Sequence, residues 1–255
     1  MSENEKSVYL EKGEHGVATI YLNQPKKKNA ISASMMELLQ QLLYEADRDD
    51  EIRVIVLRGS GENFTSGGDL SQTKPEDATP ENARKSFRRY MMAQTAIRAI
   101  AKPVIAMVDG YAVGGGFALV LACDLVCVSD RACVVPAFCQ IGIAPEMAVI
   151  KYLPQIVGAQ RAKEIIFLGD RISGAKLFEM GIANRVCPAE ELESVAYELA
   201  ERLSAMPDAS IQVAKNMMNA LDDTDLTLAM TMEQTASPFC TTTAAFAATQ
   251  AKFAK

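Results

Sequence analysis

Apolar and polar positions along the chain follow two periods, and the switches between them mark its elements. Tyr9-Leu10 and Val17-Ala18-Thr19-Ile20-Tyr21-Leu22 are rich in β-branched and aromatic residues around Gly13 to Gly16, which predicts a hairpin; Asn23-Gln24-Pro25 ends its second strand. Ser34-x-x-Glu37 matches a capping box, and Met35, Leu38, Leu39, Leu42, Leu43 and Ala46 then recur at helical spacing up to the charged stop Asp47-Arg48-Asp49-Asp50. Val54-Ile55-Val56-Leu57 has no polar face, the mark of a strand buried on both sides. The polar, proline-bearing stretch 71–80 predicts a mobile surface loop. A helix over 81–100 follows, stopped by Lys102-Pro103, then a strand over 103–108, an apolar helix over 117–122 and a strand over 125–128.

From Gly158 the pattern turns mostly helical, with helices over 159–168 and 174–180, Ser173 as the N-cap of the second and Gly181 after its end. A short strand over 182–187 completes the sheet region. Beyond Pro188, amphipathic helices are expected over 190–206, 210–221, 226–235 and 241–254, with breaks at Pro207-Asp208, 222–225 and Ser237-Pro238. Strands and helices that alternate and then give way to helices alone predict an α/β core, residues 1–195, with a C-terminal helical module, residues 196–255. That module is rich in Ala and Met and poor in charge in places (Ala229, Met230, Met232, Ala236), so one face is expected to pack against a further copy of the chain.

Composition narrows the function classes. Lys+Arg 26 against Asp+Glu 32 give a net charge of −6, which argues against a nucleic-acid footprint. The polar start of the chain has no apolar signal region, and the longest apolar stretch, 113–128, is broken by glycines and Asp124, so it reads as buried core. Phe253-Ala254-Lys255 is not a peroxisomal address, and a cytoplasmic protein without membrane attachment is expected. Six cysteines lie mostly inside apolar runs without paired spacing, and His15 is the single histidine. Neither a metal site, a disulfide framework nor a histidine-dependent hydrolase is expected.

Two glycine-bearing corners carry the candidate chemistry. Gly114-Gly115-Gly116 joins an apolar strand to an apolar helix, where bare main-chain N–H groups can meet a ligand at the positive end of a helix dipole. Phe64-Thr65-Ser66-Gly67-Gly68-Asp69-Leu70 also follows a core strand. A pair of such corners can hold an oxyanion, although a tight turn or a close helix-to-sheet contact needs the same glycines.

Five stretches in order make the chain resemble the crotonase (enoyl-CoA hydratase/isomerase) superfamily over nearly its whole length. They are Asn23 to Ile31, Phe64 to Leu70, Asp109 to Gly116 with Cys123-Asp124, Ile141-Gly142-Ile143-Ala144-Pro145-Glu146, and Ala175 to Val186. The resemblance implies an α/β fold of the ClpP/crotonase-like kind, a spiral of ββα units with a C-terminal helical trimerisation module. It implies an acyl-CoA partner, a homotrimer or dimer of trimers, and no cofactor beyond the coenzyme A of the substrate. The thioester oxyanion hole falls on the N–H groups of Gly68 and Gly115. Lys28 and Ala30 fall in the region that meets CoA, where Lys28 would contact phosphate or adenine; Ser66, Gly67, Asp69 and Leu70 line the adenine and pantetheine path. Phe246, Lys252 and Phe253 are similar to the C-terminal helix that reaches a neighbouring active site in family trimers.

The chain departs from the hydratase pattern where that pattern needs its two acids: Ala118 and Phe138 stand at those positions, and neither can hold water or move a proton. Glu146 remains. By its pattern it is an acid in the first turn of a helix; in the resemblance it matches the catalytic Glu of peroxisomal-type Δ3,Δ2-enoyl-CoA isomerases, which also share the Pro-Lys-Lys-Lys-Asn-Ala-Ile run. An apolar wall of Ala118, Leu119, Phe138 and Met147 is expected to raise its pKa, while the dipole of the following helix opposes. The resemblance thus implies an isomerase that shifts the double bond of an enoyl-CoA from C3 to C2. Another cofactor-free acyl-CoA isomerase or lyase, and a catalytically silent acyl-CoA-binding scaffold, stay open.

Overall fold

A computed structural model describes residues 6–72, 79–220 and 225–253. Its main sheet has six strands in the spatial order β1 (Val8–Lys12), β2 (Val17–Leu22), β3 (Val54–Gly59), β4 (Val104–Val108), β6 (Leu125–Ser129) and β9 (Arg185–Cys187). The β1–β2 pair is antiparallel and the others are parallel, with Ala18 opposite Ile55, Ile55 opposite Val104 and Ile105 opposite Leu125. The uninterrupted apolar runs follow from burial on both faces. In β3, Ile55 and Leu57 turn to one core while Val54 and Val56 turn to the other.

Helices α1 (Ala33–Arg48), α2 (Pro80–Ala99) and α3 (Gly115–Ala122) bury Met36, Leu39, Leu43, Ala93, Ile97 and Phe117 against the first face. On the second face lies α7 (Leu192–Ser204), which brings Leu192, Ala196 and Ala200 onto Val54, Val56, Ile105 and Met107. Alanines four residues apart let this helix lie close to the sheet. Helix α7 straddles the expected division at 195/196.

A second, smaller sheet joins β5 (Tyr111–Val113) to β7 (Cys133–Val135) in parallel, and β7 to β8 (Ile172–Ser173) antiparallel. Parallel bridges Thr65–Ala112 and Ile31–Gly68 extend it to the first glycine corner. Strands of two and three residues leave too short a pattern to read from sequence, and this sheet was not anticipated.

Several local expectations are corrected. The N-cap of α1 is Ser32, not Ser34: the Ser32 Oγ accepts the Met35 N–H at 3.2 Å, and Ser34 Oγ bonds Ser32 Oγ instead. The strand expected over 182–187 is ordered as such only at β9. Residues 73–78 of the expected loop lie outside the described residues. Helices α4 (Val149–Val157), α5 (Ala159–Leu168) and α6 (Gly174–Glu179) follow the second glycine corner, and α4, the helix expected to begin at Glu146, starts three residues later and carries Pro154.

The C-terminal helices are α8 (Asp208–Ala220), α9 (Leu226–Thr241) and α10 (Ala244–Phe253). The break expected at Ser237-Pro238 is absent, and α9 runs through Pro238 to Thr241. Helix α8 is pinned to the core by buried Lys215, whose Nζ meets Asp124 Oδ2 at 2.8 Å and the carbonyls of Ile97 (2.9 Å) and Lys102 (2.8 Å). Helix α9 packs against α8, and α10 against α9, with Leu228, Met230, Phe239 and Phe246 largely exposed. No described helix is long and apolar enough to cross a membrane.

Candidate active site

The first corner is built around Asn29, which is fully buried in the left-handed region at φ 56°. Its side-chain amide donates to the carbonyls of Ser60 (2.9 Å) and Asn63 (2.7 Å), and its main-chain carbonyl accepts the Thr65 hydroxyl at 2.6 Å. Thr65 Oγ1 in turn accepts the Gly67 N–H at 3.0 Å. The N–H of Ile31 donates to the Gly67 carbonyl, and the Asp69 N–H donates to the Ile31 carbonyl, both at 2.8 Å. Bonds on either side of Gly68 are thus satisfied, and its own N–H enters none of them among the described residues. Gly67 sits at φ 87°, and a Cβ there would lie 2.6 Å from the Val113 carbonyl oxygen, so the corner requires glycine.

The second corner locks onto the first. A Cβ on Gly116 would lie 2.4 Å from Thr65 Cγ2, and the Gly114 N–H donates to the Val135 carbonyl at 2.9 Å. Gly115 opens α3, and an N–H in the first turn has no intrahelical acceptor. A Cβ at Gly115 would lie 3.4 Å from both Ile31 Cδ1 and Met147 Sδ. Ile31 therefore borders both corners, and the residue after Glu146 touches the second.

Glu146 does not lie in the first turn of a helix. It precedes two left-handed residues, Met147 (φ 53°) and Ala148 (φ 58°), and α4 begins only at Val149. Burial pushes the Glu146 carboxyl up to about 7. Its Oε2 is buried without a hydrogen-bond partner among the described residues. Ala118, Leu119, Phe138 and Met147 are all buried in the core on which this turn rests, and Phe138 Cε1 lies 4.0 Å from the Cβ position of Gly114.

Asp69 has the opposite surroundings. Its carboxylate accepts Ser71 Oγ at 2.5 Å, the Ser71 N–H at 3.1 Å and Lys27 Nζ at 2.9 Å, and these bonds hold it down to about 2. Ala30 is buried, Ser66 Oγ donates to the Lys27 carbonyl at 3.1 Å, and Leu70 is exposed. A groove of about 550 Å³ runs past the corners, lined by Lys28, Ser66, Tyr111, Val113, Gln140 and Arg171. Lys28 Nζ stands 4.9 Å from the centre of the Tyr111 ring. The structure thus brings Lys28, Ser66 and the glycine corners together. It adds Tyr111, which lies within the Asp109 to Gly116 stretch, and Arg171, which carries no local signal.

Lys252 is exposed near the end of α10 and lines no described cleft, and the Phe253 side chain lies outside the described residues. A separate cleft of about 260 Å³ at Arg98, Asp124 and Tyr152 contains none of the glycine-corner residues. Among the described residues no group of three or more His, Cys, Asp or Glu side chains is placed to hold a metal ion.

A sequence model described as enoyl-CoA hydratase/isomerase matches residues 12–253. The 4-chlorobenzoyl coenzyme A dehalogenase-2 of Arthrobacter sp is 36% identical over 203 residues, 79% of this chain and 74% of that protein. The 1,2-epoxyphenylacetyl-CoA isomerase of Escherichia coli (strain K12) is 30% identical over 223 residues, 87% of this chain and 85% of that one. The crystal structure of an enoyl-CoA hydratase from Bacillus anthracis superposes with a TM-score of 0.87 at 29% identity, over 91% of this chain and 90% of that chain.

Proposed function

The chain belongs to the enoyl-CoA hydratase/isomerase family and has the crotonase fold, and from that premise we propose that it shifts the double bond of a 3-enoyl-CoA to C2. The observation that carries this reading is an acid with a burial-raised pKa and an oxygen unpartnered among the described residues, whose next residue, Met147, borders the Gly115 corner. The two positions that would hold the acids of a hydratase are buried Ala118 and Phe138.

Glu146 as carboxylate takes a proton from C2 of the thioester. The electron pair spreads over the carbonyl oxygen, held by Gly68 and Gly115 N–H, and over C4. The same carboxyl then returns its proton to C4, leaving the double bond between C2 and C3. Protons and electrons balance within substrate and Glu146, so the step asks for no metal or redox group. A carboxylate near 7 is basic enough to accept a proton and acidic enough to give it back at neutral pH.

The groove at Lys28, Tyr111 and Arg171 supplies cations and an aromatic face for the CoA phosphates and adenine. The exposed apolar residues of α9 and α10 support assembly as a trimer or dimer of trimers. The likeness to an epoxyphenylacetyl-CoA isomerase supports a second reading, another isomerisation through the same enolate-stabilising plan.

Incubation with a 3-enoyl-CoA and, separately, a 2-enoyl-CoA tests the first reading. Wild type is expected to convert the 3-enoyl ester and to leave crotonyl-CoA unhydrated, and Glu146→Gln is expected to convert neither ester. Rapid hydration of crotonyl-CoA overturns the reaction class. Retained conversion by Glu146→Gln overturns the mechanism. Binding without conversion of either ester points to a silent scaffold.

A further inference from the structure

Tyr90 lies on α2, half-buried against the core, and its hydroxyl donates to the Ile31 carbonyl at 3.2 Å. The same oxygen accepts the Asp69 N–H at 2.8 Å. Ile31 brackets Gly68: its N–H bonds the carbonyl of the Gly67–Gly68 peptide, which carries the Gly68 N–H, and its carbonyl accepts from the Gly68–Asp69 peptide, so a tilt of Ile31 at its carbonyl moves the two peptides that flank Gly68. The Ile31 side chain at the same time borders Gly115. Tyr90 is therefore tied to a residue that borders both corners.

We propose that Tyr90 is a positioning residue for the oxyanion hole, setting the direction of the Gly68 N–H by fixing the Ile31 carbonyl. Burial and the charges of Asp69 and Glu146 raise the Tyr90 pKa, so it stays a donor across the working pH range. Helix α2 has a second fastening that offers a control. Arg89 Nε and Nη2 bind Glu37 Oε1 (2.5 Å) and Oε2 (2.8 Å) on α1, on the solvent side. That pair holds the helix without touching the corner.

The inference rests on Gly68 and Gly115 receiving the thioester oxygen, and the experiment separates the two claims. The infrared stretch of a 13C-labelled thioester carbonyl is read on a bound, saturated acyl-CoA that cannot react. A shift to lower frequency on wild type is expected from two hydrogen bonds to the oxygen; no shift there removes the oxyanion hole itself. Tyr90→Phe is expected to lose most of that shift and to lower kcat about tenfold with KM little changed, since donors act strongly only when well aimed. Arg89→Gln is expected to keep the full shift. A full shift and full kcat in Tyr90→Phe overturn the inference, as does an equal loss in both variants, which would mean that Tyr90 only fastens α2. Should Tyr90→Phe fail to fold, 3-fluorotyrosine at position 90, close in shape and a stronger donor, is expected to enlarge the shift, and an unchanged shift overturns the inference.

Discussion

Two carboxylates stand in opposite states, Asp69 within the first glycine corner and Glu146 next to Met147, which borders the second. Asp69 is saturated with donors from Ser71 and Lys27 and held down to about 2, whereas Glu146 has an oxygen without a partner and is pushed up to about 7. Their surroundings separate them: hydrogen bonds to the charged form stabilise it at Asp69, while burial without them favours the neutral acid at Glu146. In the proposed reaction this difference separates their parts: Asp69 closes the loop around Gly68, and Glu146 exchanges the proton.

The largest expected effect breaks the Glu146 side. Glu146→Gln keeps the shape and removes the base, and conversion of a 3-enoyl-CoA is expected to fall about 10³-fold. Binding of a saturated acyl-CoA, followed by calorimetry, should change little. A loss of binding equal to the loss of turnover would show that Glu146 acts on the ground state.

Next comes the Asp69 side. Asp69→Ala removes the bonds to Ser71 and Lys27, and a loss of about 2 kcal/mol in denaturant unfolding is expected. The wild-type contribution is present above the unfolded carboxyl value of about 3.9 and fades as pH falls towards the folded value. The gap between wild type and Asp69→Ala should accordingly narrow below pH 4. A gap that stays constant down to pH 2 would make the bonds independent of charge.

Glu146 has the opposite sign. Its folded pKa lies above its unfolded one, so the folded state carries no cost while both forms are protonated, and a growing cost as pH rises towards 7 and beyond. Glu146→Gln is expected to gain about 1 kcal/mol of stability at pH 8, a figure reduced for partial solvation, and nothing at pH 4. A smaller effect lies in the groove, away from both acids. Lys28→Ala is expected to raise KM about threefold with kcat unchanged, because an exposed cation adds only a modest amount to binding.

Much of the fold was legible because the strands of the main sheet, buried on both faces, show as uninterrupted apolar runs. The small sheet was not, since two or three residues per strand carry no period. The choice between Ser32 and Ser34 as cap is tertiary as well: Ile31 bridges Gly68, so the chain is still extended at Ser32 and the helix starts directly after it. At the site, both glycine corners and Glu146 were readable from their motifs and from the family resemblance. The helical reading of Glu146 failed because Met147 and Ala148 adopt the left-handed region, which nothing in their side chains announces. Tyr90 and Arg171 join the site only through long-range packing.

The most direct test of the account is the ionisation of Glu146 itself, followed by 13C NMR of carboxyl-labelled protein with Glu146→Gln to identify its signal. A midpoint near 7 is predicted, well above that of Asp69; a midpoint near 4.5, the ordinary carboxyl value, would contradict the isolated acid on which the proton shuttle depends.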